Sequence, residues 1–258
     1  MRKNASLRKT MNWSFWYGVG MALLEAVVVV YLRELYYPQG FSFPLAAMDW
    51  TIYAIEILRE AGTLLMLVCV SALAAVDFHT WFAYFLFNFA VWDIFYYVWL
   101  KVLLDWPANL MEWDVLFLIP ITWDGPVLAP LLCTVAMIVL AGIMLHHHRQ
   151  EQSVRFKARE WILLVAGAVL VFASFIWNYT TLMLEGGYFH SIHDLSANPA
   201  FQQAVAEFVP PGFQWPLFLC GYAIIWLAIG WIAVRLKKQE TQKGSAYVVH
   251  PNYWTEVK

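Results

Sequence analysis

Long apolar stretches separated by short polar segments dominate the chain. Six of them are long enough to cross the hydrocarbon core of a bilayer as helices, because each helical residue adds about 1.5 Å. They cover approximately residues 13–32, 50–76, 81–104, 125–145, 161–184 and 215–234. The pattern therefore predicts an all-α, polytopic integral membrane protein, a single bundle of six transmembrane helices.

Two further segments do not fit a membrane span. Residues 105–124 are interrupted by prolines and acids and contain Trp106, Trp113 and Trp123. Indole rings prefer the interface between lipid and water, so we expect this segment to lie at the membrane surface. Residues 185–214 contain a Gly-Gly pair and a Pro-Pro-Gly turn, which predicts an outer loop.

Composition supports a membrane location. Hydrophobic residues make up 62% of the chain and charged residues only 13%, a balance typical of integral membrane proteins. The lipid bilayer is therefore the predicted partner, and a nucleic acid is not. The three cysteines lie in or at the ends of apolar stretches without paired spacing, which argues against a disulfide framework or a cysteine metal site.

Lysine and arginine are distributed unevenly between the two sides of a six-helix topology. Basic clusters precede the first helix, follow the fourth and follow the sixth, whereas the segments after the third and fifth helices contain none. Five or seven helices would place at least one cluster on the outer side. The positive-inside rule therefore predicts cytoplasmic N- and C-termini in a bacterial inner (plasma) membrane.

Ionisable residues inside the apolar stretches are the main candidates for function. Glu56, Arg59 and Glu60 share one helix face, because residues three and four apart are neighbours on a helix. Glu25 and Asp93 lie at a comparable depth in the outer half of the first and third helices. We expect these five side chains to face one another inside the bundle, with Lys101 nearer the outer surface.

This predicted cluster has two interpretations. A charge at the bilayer centre costs about 3 kcal/mol on insertion scales, so a set of mutually compensating charges can serve to fix helix register. Acids outnumber bases in the cluster, however, and carboxyl groups in a low-dielectric interior can carry protons or contact a quinone. The sequence leaves both interpretations open.

Metal and haem sites have weaker support. His190, His193 and Asp194 have a spacing that metal ligands can adopt, but they fall in the predicted outer loop. His146, His147 and His148 are consecutive and point in different directions around a helix end. No histidine lies near a helix centre, which argues against an intrinsic haem b.

Aromatic residues are unusually dense in the third predicted helix. Its rings lie all around the helix and at all depths, whereas an interfacial belt would place them only at the ends. They can fill the core, or they can form a wall for a quinone, a carotenoid, a chlorophyll or another membrane subunit.

Three functions fit these features. The first is a non-catalytic subunit or scaffold of a larger respiratory or photosynthetic membrane assembly, because the usual zinc, hydrolase and nucleotide-binding motifs are absent. The second is a small proton-coupled transporter or ion pathway that uses the charge cluster. The third is an intramembrane enzyme acting on a lipid or quinone, which requires a substrate-sized cavity beside Glu60 and Asp93.

Overall fold

The computed structural model describes residues 2–46, 48–149, 155–189 and 198–248, with residues 2–7 and 242–248 described as backbone only. Within these residues the chain forms seven helices and one two-stranded hairpin. The elements are α1 (Arg2–Tyr36), α2 (Trp50–Ala74), α3 (Phe78–Leu104), β1 (Trp113–Phe117), β2 (Trp123–Pro126), α4 (Leu128–Arg149), α5 (Ala158–Glu185), α6 (Pro199–Glu207) and α7 (Trp215–Val248).

Six of the helices are long and apolar enough to cross a membrane, as the sequence predicts. They are α1, α2, α3, α4, α5 and α7, whereas α6 is a single short helix of nine residues. Because the chain crosses the bundle six times, α1 begins and α7 ends at the same end. We call this the terminal end, and we call the opposite end, with residues 37–46, 48–49, 105–127, 186–189 and 198–214, the loop end.

The hairpin is a departure from the all-α prediction. Residues 113–117 and 123–126 pair as antiparallel strands, with a bulge between Val115 and Phe117. They belong to the segment that was expected to lie at the membrane surface. Strands of five and four residues are too short to show a clear alternation of polar and apolar positions, so the sequence pattern did not reveal them.

Local hydrogen bonds fix where the helices begin and end. Asp49 caps α2 by accepting from the Thr51 backbone N–H at 2.7 Å. Asp77 caps α3 in a capping box with Thr80, three residues after the end of α2. Asp105 ends α3 in the left-handed conformation, with φ at 52°.

The helices pack in two groups joined by α4. The first group is α1 and α2 packed against α3, and the second is α5 packed against α7. Gly167 and Gly221 allow α5 and α7 to approach closely, since a Cβ atom on Gly167 would lie 2.7 Å from the Gly221 carbonyl oxygen. Because α2 and α5 belong to different groups, a space is left between them.

The hairpin enters this space from the loop end. The backbone N–H of Leu118, at the start of the hairpin loop, donates to Glu60 at 2.9 Å. Glu60 lies ten residues after the first residue of α2, or about 15 Å along the helix axis. On the other side the Phe117 ring lies 6.0 Å from the Trp92 ring of α3. Non-helical backbone at such depth is compatible with a membrane protein only where protein surrounds it.

A buried ion pair joins α5 and α7 at the terminal end. Arg235 donates to both carboxylate oxygens of Glu160, at 2.6 and 2.9 Å, and Glu160 is fully buried. Arg235 also donates to the Arg155 carbonyl oxygen at 3.2 Å. The pair satisfies its own charges, so we assign it a structural role.

Candidate functional site

Arg59 is the centre of the first of two ionic groups near the hairpin. Its Nε donates to Glu56 Oε2 at 2.7 Å, and its Nη1 donates to Glu25 on the neighbouring α1. Thr63 also donates to Glu25, at 3.1 Å. The structure therefore brings together three residues of the predicted cluster, and the two carboxylates share one guanidinium.

Glu60 belongs to the same helix turn but has a different partner. It accepts hydrogen bonds from the Leu118 N–H, at 2.9 Å to Oε2 and 3.2 Å to Oε1, and no ion pair is found for it among the described side chains. Only 6% of Glu60 is exposed. A buried carboxylate thus holds the hairpin loop without a direct ion pair among the described side chains.

Arg33 is the centre of the second group, which the sequence analysis did not anticipate. Its Nη2 lies 3.3 Å from Asp114 Oδ1 on β1. The guanidinium also lies over two aromatic rings, 3.8 Å from the centre of Trp106 and 4.7 Å from that of Phe41. Such stacking suits arginine, because its planar group is weakly hydrated. Arg33 lies one residue after the predicted end of the first helix, and its partner Asp114 is 81 positions further along the chain.

Asp93 and Lys101 do not join the Arg59 group. Asp93 has no hydrogen-bond partner among the described residues, and the charged group that acts on it is Asp114. Lys101 points to the loop end, where its Nζ lies 2.7 Å from Asp105 Oδ1, and half of its side chain is exposed. The predicted set of six residues is therefore not one cluster, because Asp93 and Lys101 lie apart from the Arg59 group and have different surroundings.

A cavity of about 1260 Å³ connects the two ionic groups. It lies between α2 and α5, with α3 and the hairpin along its sides. On α5 its lining extends from Leu164 to Met183, which is 19 residues or about 28 Å along the helix. This is close to the thickness of the bilayer hydrocarbon, about 30 Å.

Most of the cavity lining is apolar, and much of it is aromatic. Five rings of α3 contribute, those of Phe82, Phe89, Trp92, Tyr96 and Tyr97. Rings of the third helix thus line a space inside the bundle, as the interpretation of this helix as an aromatic wall requires. The polar residues of the cavity lining are concentrated in the half nearer the loop end, where the two arginines and the carboxylates lie.

The two ends of the cavity differ. At the terminal end the Phe82 ring lies 5.2 Å from the Trp161 ring, which in turn contacts Phe156. At the loop end, Phe201 and Val205 of α6 line the cavity opposite Asp49. Hydrogen bonds from Thr51 lower the pKa of Asp49, so this end has an ionised carboxylate.

The weaker metal candidates cannot be placed. His190, His193 and Asp194 lie outside the described residues. Within the described part of the chain, His147 is at the terminal end of α4, where its Nδ1 lies 2.8 Å from the Ile143 carbonyl oxygen. It is therefore remote from the cavity's polar half.

Comparison with known proteins adds no functional information. No protein-family model, no curated protein and no solved structure matches the chain. The residues that line the cavity are therefore the basis for a functional proposal.

Proposed function

We propose that the protein binds a lipid-class amphiphile, a lipid or quinone, inside the bundle, and that its carboxylates act on the polar end of that molecule. The cavity beside Glu60 and Asp93 is the observation that carries the proposal. Its volume exceeds the range of about 300–1000 Å³ that is usual for drug-sized ligands, and its length suits an extended apolar chain.

The distribution of polar groups supports one orientation of the ligand. The apolar chain would lie along the rings of α3 and the apolar face of α5, toward the terminal end. The polar end would lie near the hairpin, where Glu60 and Asp93 are available. These are the two lining carboxylates of the predicted cluster without an arginine partner, so proton exchange with the bound molecule is the chemistry they can supply.

The arrangement gives less support to an ion pathway. A continuous pathway along α2 would need polar groups from Thr63 to Ser71, which are eight residues or about 12 Å apart. Leu67 lies between them, is fully buried and packs against Met21 and Trp92. Ser71 accepts a hydrogen bond from Asn88 Nδ2 at 2.9 Å, and an apolar layer thus separates this pair from the polar groups near the hairpin.

Orientation and assembly are further proposals. The described basic residues at the terminal end, including Arg159 and Arg235, support cytoplasmic termini in a bacterial inner membrane. Labelling of introduced cysteines from each side of the membrane measures this orientation. Membership in a respiratory or photosynthetic assembly also stays a proposal, and purification in mild detergent measures whether partners accompany the chain.

Narrowing the cavity tests the binding proposal. Ala168 lines the cavity on α5, whereas its neighbour Val169 does not and is 56% exposed. We expect Ala168→Trp to lower the amount of co-purifying lipid at least fivefold, because the indole occupies the space of the apolar chain. Native mass spectrometry of the detergent-solubilised protein measures the bound lipid.

The matched control is Val169→Trp, which adds the same side chain at the adjacent position. It should leave the bound lipid at the level of the unsubstituted protein. Equal lipid content in all three proteins, or no bound lipid in any of them, would count against the cavity as a lipid site.

A further inference from the structure

Negative charge predominates among the residues that line the cavity. The lining residues in the described part of the chain include six carboxylates and two guanidiniums, with no lysine or histidine. The carboxylates are those of Glu25, Asp49, Glu56, Glu60, Asp93 and Asp114, and the guanidiniums are those of Arg33 and Arg59. An anionic ligand would therefore meet more like charges than opposite charges.

Neither arginine is available to compensate an incoming anion. Arg59 is shared between Glu25 and Glu56. Arg33 pairs with Asp114, and two aromatic rings stack on its guanidinium. A phosphate group would have to displace a carboxylate from an arginine and leave that carboxylate buried without a partner, which is strongly unfavourable.

Other polar groups that line the cavity do have unused hydrogen-bonding capacity. Asp93 has no hydrogen-bond partner among the described residues, and Glu60 has only the Leu118 N–H. Carboxylates in apolar surroundings are normally paired or hydrogen-bonded, so an unpaired carboxylate that lines a cavity indicates a ligand that completes it.

Resting on the proposed function, we infer that the polar end of the ligand is an uncharged hydroxyl group and that the cavity discriminates against phosphate head groups. A hydroxyl group can donate to the Asp93 or Glu60 carboxylate, which an ether oxygen cannot do. A phosphate monoester carries a charge of about −1.5 to −2 near neutral pH and adds it to the carboxylates of the cavity. The ligand class is thus a neutral, hydroxyl-bearing lipid.

Three probes with the same apolar chain test this inference. Farnesol has a hydroxyl group, farnesyl phosphate has an anion, and farnesyl methyl ether has an oxygen that cannot donate. The probes compete in equal amounts for the full-length protein in detergent micelles, and native mass spectrometry measures the bound fractions after correction for micelle partitioning. We expect farnesol to bind at least tenfold more tightly than either of the other two.

Variants assign the preference to particular residues. The double variant Glu60→Gln with Asp93→Asn should reduce the preference for farnesol over farnesyl phosphate to about threefold or less, because amides do not repel phosphate. The matched control is Asp105→Asn, which removes an exposed carboxylate that pairs with Lys101 away from the cavity. This control should retain the full preference.

The outcomes separate this inference from the proposed function. Equal or tighter binding of farnesyl phosphate would overturn the inference while leaving a lipid-binding cavity. An unchanged preference in the double variant would overturn the assignment to Glu60 and Asp93. If none of the three probes bound, both the inference and the proposed function would fall.

Discussion

Replacing Arg59 by methionine is the most direct test of the ionic group between α1 and α2. Methionine has a similar length and helix propensity but no charge. In the structure Arg59 donates to Glu25 and Glu56, whose side chains are 10% and 8% exposed. The substitution therefore leaves two nearly buried carboxylates without a cation.

The expected loss follows from the burial of these groups. Removing one partner of a buried ion pair costs about 3–5 kcal/mol, because the other charge stays desolvated and unpaired. Since 22% of the Arg59 side chain is exposed toward the cavity, we expect the lower limit of this range. A loss of about 3 kcal/mol corresponds to a change of roughly 150-fold in the folding equilibrium.

Unfolding in mixed micelles with increasing dodecyl sulfate, followed by tryptophan fluorescence, measures the free energy of unfolding. Arg59→Lys should lose less stability than Arg59→Met, because a lysine retains the charge but cannot reach both carboxylates with a planar group. A triple variant combines Glu25→Gln and Glu56→Gln with Arg59→Met. Its free energy of unfolding should lie within about 1 kcal/mol of that of the unsubstituted protein, because none of the three buried charges remains. If Arg59→Met alone lowered the free energy of unfolding by less than about 1 kcal/mol, a stabilising role of this ionic group would be refuted.

Two further predictions concern helix contacts. Gly167→Ala should lower the free energy of unfolding by about 1–3 kcal/mol, because its Cβ would lie 2.7 Å from the Gly221 carbonyl oxygen. The matched control is Gly20→Ala, which has open space around the new Cβ and should not lower the free energy of unfolding. Asp77→Ala should cost about 1 kcal/mol at neutral pH and Asp77→Asn much less, since asparagine also caps helices. Burial raises the pKa of Asp77, but the hydrogen bonds from Thr80 have the larger combined effect, so the pKa lies below that of an ordinary carboxyl group. The stabilisation by the ionised cap is therefore complete above the ordinary carboxyl pKa and is lost as the pH falls through the lowered pKa of the folded protein. Unfolding measured between pH 7 and pH 3 should show the difference between the unsubstituted protein and Asp77→Ala shrinking, and a constant difference would contradict the role of the ionised cap.

The six long helices were predictable because bilayer thickness sets a minimum length for an apolar helix. The hairpin was not, because its stability comes from tertiary contacts. Its loop is held by the Glu60 carboxylate, and Trp123 stacks at 6.1 Å on Phe175 of α5. Neither contact leaves a local pattern in residues 113–126, where prolines and acids favour a surface segment.

The charge cluster was predictable in part, because depth along a helix can be estimated from residue number. Comparing depths correctly associated Glu25 with Arg59, although 34 residues separate them. Depth does not define the direction in which a side chain points around the helix axis. Asp93 therefore makes no ion pair with Arg59, and the pairing of Arg33 with Asp114 depends on a hairpin that the sequence did not reveal.

The two interpretations of the cluster apply to different residues. Glu25 and Glu56 satisfy their charge on Arg59, which is what a structural group that fixes helix register requires. Glu60 and Asp93 have no arginine partner and line the cavity, so their desolvation is not compensated by the protein alone. A buried carboxylate that the fold leaves uncompensated is best explained by a ligand that completes it. Substitution of Arg59 should therefore affect mainly stability, whereas substitution of Glu60 and Asp93 should affect mainly the choice of ligand.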